Sequence, residues 1–258
     1  LDVKVHIVTG AVSAVQNIIK CVRRCGLEVQ DLILQPLAAS SAVLTADEKE
    51  LGVALVDIGG GTTDIAVFVG GAIRHSAVLP VAGDQITNDI AMALRTPTAD
   101  AEDIKLRHGL AKQVLANPSD KIEVPGIGDR GPRSLSKQAL AALIEPRVEE
   151  LFSMVQQTIR ESGYEEAISS GIVITGGSSL LPGMAELAED IFLKPVRVGA
   201  PEYDGSLSDV VRTPRFAAAM GLVEEARQIR LRGRKVAEQS GSFKDTLRRM
   251  KEWFLGNF

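Results

Sequence analysis

The sequence predicts a layered α/β protein, and three observations support that fold class. Apolar runs typical of strands alternate with segments of helical spacing in the first 50 residues. Residues 53–69, VALVDIGGGTTDIAVFV, form two strand-like runs around a glycine turn, which predicts a β-hairpin. Residues 171–192 predict a further strand, turn and helix. Alternation of this kind favours a sheet covered by helices.

The first 50 residues are predicted to hold two strand–helix units ahead of the hairpin. Residues 3–7 alternate as in a strand, and residues 11–26 follow with helical spacing and Gly26 as the C-terminal stop. Residues 32–34 predict a second strand, and residues 37–44 a second helix before an acidic turn. Because the chain begins with Leu1 in a strand-like run rather than with Met, we expect that a preceding portion is missing.

The hairpin turn has the composition of a phosphate-binding concavity. Its consecutive glycines allow positive φ angles and close backbone approach, so that successive N–H groups can face an anion. The following segment is a strand and no lysine follows the turn, which excludes a Walker loop and a dinucleotide fingerprint. An ordinary tight hairpin is the alternative, but the turn holds more polar residues than a turn requires. The glycines are Gly59, Gly60 and Gly61.

Polar side chains on both sides of these glycines predict a metal–phosphate site. The carboxylate of Asp57 would repel a phosphate unless a divalent cation lay between them, coordinated through water. We therefore predict that Asp57 lies on the Mg²⁺ side, and that the hydroxyls of Thr62 and Thr63 donate to phosphate oxygens.

The region after the hairpin contains a predicted third strand, then a helix, and then an inserted subdomain. Gly83 at the entry to the helix over 84–94 is a second backbone contact for an anion. Residues 96–137 hold four prolines around an amphipathic helix and a short strand, KIEVPG. Ser134 is predicted to cap the next helix, and Pro146 to interrupt it and begin another.

Residues 171–182 contain a second glycine signature, GIVITGGSSLLP. Alone it is weak, because many strand–turn–helix connections have this composition. Placed after a phosphate hairpin, it can supply backbone groups to the adenosine of a nucleotide. A helix opened by Pro182 follows, and a helix over 216–229 is predicted to close the globular part.

Composition indicates a soluble globular protein with reduced thiols. The 258 residues are 45% hydrophobic and 24% charged, and the net charge of −4 gives no global case for nucleic-acid binding. Cys21 and Cys25 do not have the spacing of a redox pair or a zinc site. The three histidines are too scattered for a metal cluster, and no apolar run approaches the roughly 18 residues of a membrane span.

The C-terminal segment predicts a membrane-binding helix. Residues 228–241 are basic and polar, as in a flexible linker, and residues 242–258 place their apolar side chains on one helical stripe opposite cations. Such a helix can lie in a membrane interface over anionic headgroups, although packing on the protein's own core is the alternative. The stripe consists of Phe243, Leu247, Met250, Phe254 and Phe258, with Trp253 at its edge.

With both glycine motifs in order, the sequence resembles the second lobe of the actin, sugar-kinase and heat-shock-chaperone ATPase superfamily, whose fold is ribonuclease-H-like. It resembles the FtsA family of bacterial cell-division proteins more closely, through LGVALVDIGGGTTDIAVF, AEDIKLRHG and GIVITGGSSLLPG. The resemblance implies a first-lobe remainder at 1–50, a second-lobe core at 51–95 and 138–227, and an inserted subdomain at 96–137.

The resemblance also implies a role for each site residue. The hairpin would hold the phosphates of ATP and Mg²⁺, while Gly176, Gly177 and Ser178 would lie by the adenosine. Glu102 and Lys105 match residues that reach the ribose and base. Gln35 falls where actin-like ATPases orient the attacking water, with a plain polar residue as the equal alternative. The first-lobe phosphate hairpin is missing, so we expect weak ATP binding and no meaningful hydrolysis by the isolated chain.

The partners implied by the resemblance belong to the division machinery. The C-terminal peptide of FtsZ would dock on the inserted subdomain and the helix that begins at Pro146, with Arg133, Arg147 and Glu150 as candidate contacts. The resemblance also implies self-association into filaments and contacts with other division proteins. It places the protein at the inner face of the cytoplasmic membrane, on an anionic membrane surface. The alternatives are a sugar-kinase-type phosphotransferase, for which no catalytic Asp is evident, and a pilus-assembly adaptor, in which we would not expect the tail.

Overall fold

The computed structural model describes residues 5–128 and 131–231. The chain divides into two compact units, one containing Leu34–Ala226 and the other Ile7–Ile33. The predicted membrane helix at 242–258 lies outside the described residues, as does most of the predicted linker.

The larger unit is built on a mixed sheet with helices packed against it. The strands are β1 Val53–Ile58, β2 Thr63–Val69, β3 Ala72–Leu79, β4 Lys121–Val124, β5 Arg133–Ser136, β6 Ile172–Thr175 and β7 Val196–Val198. Helix α1 Val12–Arg24 belongs to the smaller unit, and the other helices of the described residues are α2 Gln35–Val43, α3 Ala46–Leu51, α4 Gly83–Leu94, α5 Thr98–His108, α6 Lys137–Glu161, α7 Met184–Phe192, α8 Ser208–Val211 and α9 Ala217–Leu231.

The main sheet brings the two glycine motifs to the same edge. Within the described residues its strand order is β3-β2-β1-β6-β7, and β4 pairs only with β5. The central strand β1 runs antiparallel to β2 and parallel to β6. Asp57 therefore faces Asp64 on one side and Thr175 on the other. Both turns, which follow β1 and β6, consequently emerge at the same end of adjacent strands.

The hairpin strands are buried because they are central. Every residue of β1 is buried, and so is β2 up to Phe68. Side chains on one face pack against α4, α6 and α7, and those on the other face pack against α2. This burial on both faces explains why the sequence shows nearly continuous apolar runs here rather than alternation.

The two N-terminal strand predictions are wrong for the described residues. Val5 and Ile7 lie in irregular backbone, as do residues 32–34, whereas α1 forms as expected with Gly26 at φ +77° after its end. A strand requires a neighbour for its backbone N–H and C=O groups, and alternation alone does not supply one. The predicted acidic turn is also helical: α3 begins with a capping box between Thr45 and Glu48.

The prediction that Pro146 separates two helices is wrong. A single helix, α6, runs through Pro146 for 25 residues. An interior proline removes one backbone hydrogen bond, but the buried face of α6 continues on both sides of it, through Ile144 and Val148, while Pro146 itself is exposed. Packing of that face therefore outweighs the local loss.

Two further boundaries differ from the sequence predictions. Ser136 rather than Ser134 caps α6, accepting a hydrogen bond from the N–H of Ala139, because Ser134 lies in the unpredicted strand β5. The helix after the second glycine turn begins at Met184 rather than Pro182. None of the helices within residues 5–128 and 131–231 is both long and apolar enough to cross a membrane.

Candidate functional site

The turn between β1 and β2 forms the exposed tip of the candidate site. The N–H of Gly59 donates to the carbonyl of Thr62 at 2.9 Å, which closes the turn. Gly60, Gly61 and Thr62 are exposed at its tip. The carbonyl of Gly60 accepts a hydrogen bond from the N–H of Asp84, at 2.8 Å, in the first turn of α4. The glycine turn is thus held by the first N–H groups of α4, which are occupied by its carbonyls rather than free for an anion.

Asp57 is a buried carboxylate with a neutral partner. It is 5% exposed, and its Oδ2 accepts a hydrogen bond from the side-chain amide of Gln35 at 3.2 Å. Burial raises the pKa of Asp57, and the bond from Gln35 opposes that rise only in part. Gln35 begins α2 rather than ending a strand, and the structure brings it to the predicted metal-side residue.

Asp64 is a second buried carboxylate that the sequence interpretation left without a role. It faces Asp57 across the hairpin and is 8% exposed. Burial and the neighbouring charge of Asp57 raise the pKa of Asp64, and a hydrogen bond from Thr62 opposes the rise. Its place in the hairpin could have identified it, because Asp57 and Asp64 are equally far from the turn and antiparallel pairing sets them opposite each other.

The carbonyl of Gly59 joins the glycine turn to two other segments. It accepts the N–H of Gly83 at 3.1 Å and the hydroxyl of Ser178 at 2.7 Å. An added Cβ at Gly83 would lie 2.3 Å from that hydroxyl, so only glycine fits there. The structure therefore brings together the three predicted segments around Gly59, Gly83 and Ser178.

Lys105 and Glu102 extend this connection to α5. Lys105 is 9% exposed, and its Nζ donates to the carbonyl of Gly83 at 3.1 Å and to Oγ1 of Thr87 at 2.8 Å. It also pairs with Glu102 at 2.7 Å, and Glu102 contacts Thr87 as well. Burial works to raise the pKa of Glu102, but its bonds to Lys105 and Thr87 lower it overall. The ammonium of Lys105 is thus fully engaged with protein groups.

The second glycine turn approaches Asp57 from β6. Gly176 has φ +86°, and an added Cβ would lie 2.4 Å from Oδ1 of Asp57 and 2.4 Å from the carbonyl oxygen of Ile58. Gly177 is exposed and lies beside Arg215, a residue that the sequence interpretation did not single out. Glycine is therefore required at Gly176 by both its backbone angle and its neighbours.

One predicted phosphate donor faces elsewhere. The hydroxyl of Thr63 is buried and donates to the carbonyl of Val81 at 2.7 Å. In this arrangement Thr63 supports the hairpin from inside rather than facing the concavity, whereas Thr62 is exposed at the tip.

The residues present fit a magnesium ion held mainly through water. Asp57 and Asp64 are buried carboxylates, and neither has a cationic side chain bonded to it among the described residues. The described part of the chain also contains no group of three or more carboxylate, imidazole or thiol ligands that could hold a metal. Mg²⁺ typically takes one or two carboxylates and completes its shell with water and phosphate oxygens. Its charge would offset both buried carboxylates.

Comparison with known proteins identifies the family. A family profile described as "Cell division protein FtsA" matches residues 54–221. The chain is 56% identical over 264 residues to Cell division protein FtsA of Pseudomonas aeruginosa, covering all of the chain and 63% of that protein. It is 42% identical over 267 residues to the Escherichia coli K12 protein of the same name, covering 64% of it.

The chain belongs to the FtsA family of cell-division proteins. It spans less than two thirds of the length of these relatives. The fold is actin-like: MreB5 of Spiroplasma citri bound to ADP is similar with a TM-score of 0.66 and 20% identity over 86% of this chain and 67% of that one. The MamK double helical filament gives a TM-score of 0.63 at 17% identity, covering 84% of this chain and 66% of that one.

The FtsA-family chain has a second candidate site, a groove between α4 and α6. The groove has a volume of about 330 Å³, and Met92 on its wall is 79% exposed. Arg147 donates through Nε to Asp89 at 2.5 Å and through Nη2 to the same carboxylate at 3.1 Å, and it also contacts Glu150. These bonds to Asp89 raise the pKa of Arg147. The lining residues are Asp89, Met92, Ala93, Leu143, Pro146, Arg147 and Glu150.

Two of the three predicted partner contacts in this FtsA-family chain lie in the groove. Arg147 and Glu150 line it, whereas Arg133 on β5 donates to the carbonyl of Leu94 at the end of α4. Arg133 therefore closes a helix end, and Met92, Leu143 and Pro146 are groove residues that the sequence did not single out. Their exposure depends on the crossing of α4 and α6, which no local pattern reveals.

Proposed function

We propose that a protein containing this chain is an ATP-binding, actin-like division protein that attaches FtsZ filaments to the inner face of the cytoplasmic membrane and helps to recruit later division proteins. The observation that carries the proposal is the convergence of the glycine turn, the start of α4, the second glycine turn and α5 at one edge of the sheet. Family membership supports the role in division.

Nucleotide binding is the first part of the proposal. The exposed glycines of the turn can present backbone N–H groups to phosphate, and the buried carboxylate of Asp57 can hold a metal ion. Glu102 has a half-exposed carboxylate beside this edge and would accept from ribose hydroxyls, while Gln35 would orient water near Asp57. Similar solved structures include MreB5 proteins bound to ADP and to AMPPNP, which supports an adenine nucleotide as the ligand here.

Binding of the FtsZ C-terminal peptide is the second part, and we assign it to the groove between α4 and α6. The charge of Arg147 is already neutralised by Asp89 and Glu150. Apolar contacts with Met92, Leu143 and Pro146 would therefore supply most of the affinity, and Arg147 would mainly orient a carboxylate of the peptide. We accordingly expect a weaker dependence on salt than a free cation would give.

Membrane attachment and filament formation complete the proposal. The segment 242–258 has four cations and two acids around its apolar stripe, as required for an anionic interface. The actin-like fold, and its likeness to a protein that forms the MamK double helical filament, support self-association.

One experiment tests the tether directly. Anionic vesicles are sedimented with a fluorescent FtsZ C-terminal peptide, with and without the protein. The peptide should sediment only when the protein is present, and a protein ending at Gly241 should leave it in solution. Phe254→Glu should act in the same way, because it places a charge in the apolar stripe. Equal sedimentation by the shortened protein would show that the tail is not the membrane anchor.

A second experiment tests the nucleotide site alone. Gly60→Val places a side chain over the turn, and its Cβ would meet only the exposed carboxylate of Asp84 at 3.2 Å, so the fold should persist. In calorimetry with a full-length protein containing this chain, Mg-ATP binding should be lost. Gly10→Val is the matched control, because no described atom lies within 4 Å of its added Cβ. Unchanged affinity in Gly60→Val would refute the assignment.

A further inference from the structure

The hydroxyl of Ser178 is turned toward the phosphate turn. It donates to the carbonyl of Gly59 at 2.7 Å, and the same oxygen accepts the N–H of Gly83 at 3.1 Å. Ser178 therefore bonds to the residue that precedes the glycine tip.

Because the peptide unit is planar, the hydrogen bond from Ser178 also sets the direction of the next N–H group. In a trans peptide unit the C=O of one residue and the N–H of the next point in opposite directions. Fixing the carbonyl of Gly59 therefore fixes the N–H of Gly60, directing it away from Ser178 and α4. The bond from the N–H of Asp84 to the carbonyl of Gly60 fixes the N–H of Gly61 in the same way. Glycine peptides otherwise rotate easily, so these bonds decide where the turn presents its donors.

We propose that Ser178 is a positioning residue for phosphate recognition: it holds the Gly59–Gly60 peptide so that the N–H of Gly60 faces the phosphates of a bound nucleotide. This inference rests on the nucleotide-binding function proposed above. This role differs from a direct adenosine contact, because the positioned N–H of Gly60 would raise the affinity only of ligands that carry phosphates.

Comparison of phosphate-bearing and phosphate-free ligands tests the proposal. In calorimetry with a full-length protein containing this chain, Ser178→Ala should raise the Kd of Mg-ATP and Mg-ADP by about threefold to tenfold, the range expected for one hydrogen bond. The Kd of adenosine should not change. Ser178→Thr retains a hydroxyl and should restore phosphate affinity. Ser179→Ala is the control, because that hydroxyl donates to Gly176 within its own turn and should not separate the two ligand classes.

Different results would overturn different conclusions. An equal loss for Mg-ATP and adenosine would make Ser178 an adenosine contact, and no loss for either would leave it without a role in binding. Both results would overturn the inference while leaving nucleotide binding intact. Failure of the unsubstituted protein to bind Mg-ATP would instead overturn the proposed function, and this role of Ser178 with it.

A pair of substitutions tests the contact itself without nucleotide. Gly83→Ala should lower the urea midpoint of unfolding, because its Cβ would lie 2.3 Å from the hydroxyl of Ser178. Adding Ser178→Ala should return the urea midpoint most of the way to its wild-type value. The remaining neighbours of the Cβ are Gly59 O at 3.3 Å and Lys105 Nζ at 3.5 Å. Absence of rescue would show that the hydroxyl does not occupy the space between Gly59 and Gly83.

Discussion

The two ends of α4 take part in two different kinds of site. At its start, Gly83 and Asp84 bond through their backbone N–H groups to the glycine turn. Toward its end, Asp89 and Met92 face a groove through their side chains. The first site depends on the absence of side chains and on buried polar groups, and the second on exposed side chains. The contrast indicates that a side chain added at Gly83 or Gly176 should destabilise the fold, whereas the groove should tolerate change.

The largest expected effect is at Gly176. Gly176→Ala imposes a positive φ on alanine and places its Cβ 2.4 Å from both Asp57 and Ile58. We expect a loss of about 3 kcal/mol or more in the free energy of unfolding. Gly163→Ala is the matched control: its φ is +75°, but no described atom lies within 4 Å of the added Cβ, so about 1 kcal/mol should be lost. Equal losses in urea denaturation would mean that the turn can move away.

The second effect separates stability from binding at Asp57. Asp57→Asn should weaken Mg-ATP binding by about tenfold or more, because it removes the charge that favours the cation. Without magnesium it should stabilise the fold at neutral pH, because burial raises the pKa of Asp57 and so disfavours its charged form.

The raised pKa of Asp57 also predicts how its contribution to stability depends on pH. Since the folded state has the higher pKa for Asp57, it binds a proton more readily than the unfolded state. The contribution of Asp57 to stability should therefore increase as pH falls through its raised pKa toward the ordinary value, so the stability advantage of Asp57→Asn over wild type should shrink over this range. Urea unfolding in EDTA across this range measures it. Lower stability of Asp57→Asn at neutral pH would contradict the account.

A third, smaller effect is expected at Met92 in the groove. Met92→Ala should raise the Kd of the FtsZ peptide by about fivefold to tenfold, since the peptide would bury part of this side chain. The free energy of unfolding should change by less than about 0.5 kcal/mol, because such an exposed residue contributes little to the core. Leu106→Ala on α5 is the control, being 68% exposed outside the groove. A large loss of stability would remove the contrast between the two ends of α4.

The smallest effect concerns the ion pair of the groove. Asp89 and Arg147 are both partly exposed, so a double-mutant cycle with Asp89→Ala and Arg147→Ala should give a coupling of about 0.5 to 1 kcal/mol. The coupling should decrease in high salt. A coupling several times larger would mean that the groove is as rigid as the hairpin edge.

The same contrast explains what the sequence could predict. The hairpin, both glycine turns and Gly83 were predictable because a turn without side chains imposes its composition locally. The bond from Gln35 to Asp57 and the direction of the Ser178 hydroxyl depend on residues 22 and 119 positions apart, so no local pattern records them. The continuity of α6 across Pro146 likewise depends on tertiary packing. Whether residues 5–10 and 32–34 form strands also depends on tertiary structure, because a strand needs a neighbouring strand to pair with.

The helix that carries Pro146 has a mechanical consequence. At 25 residues α6 is roughly 37 Å long, and it packs near one end against β5 and further along against α7. The groove between α4 and α6 reaches this helix at Pro146, where one backbone hydrogen bond is missing. Interior prolines are common places for a helix to bend. A ligand in the groove would therefore contact α6 at the point where the helix bends most easily.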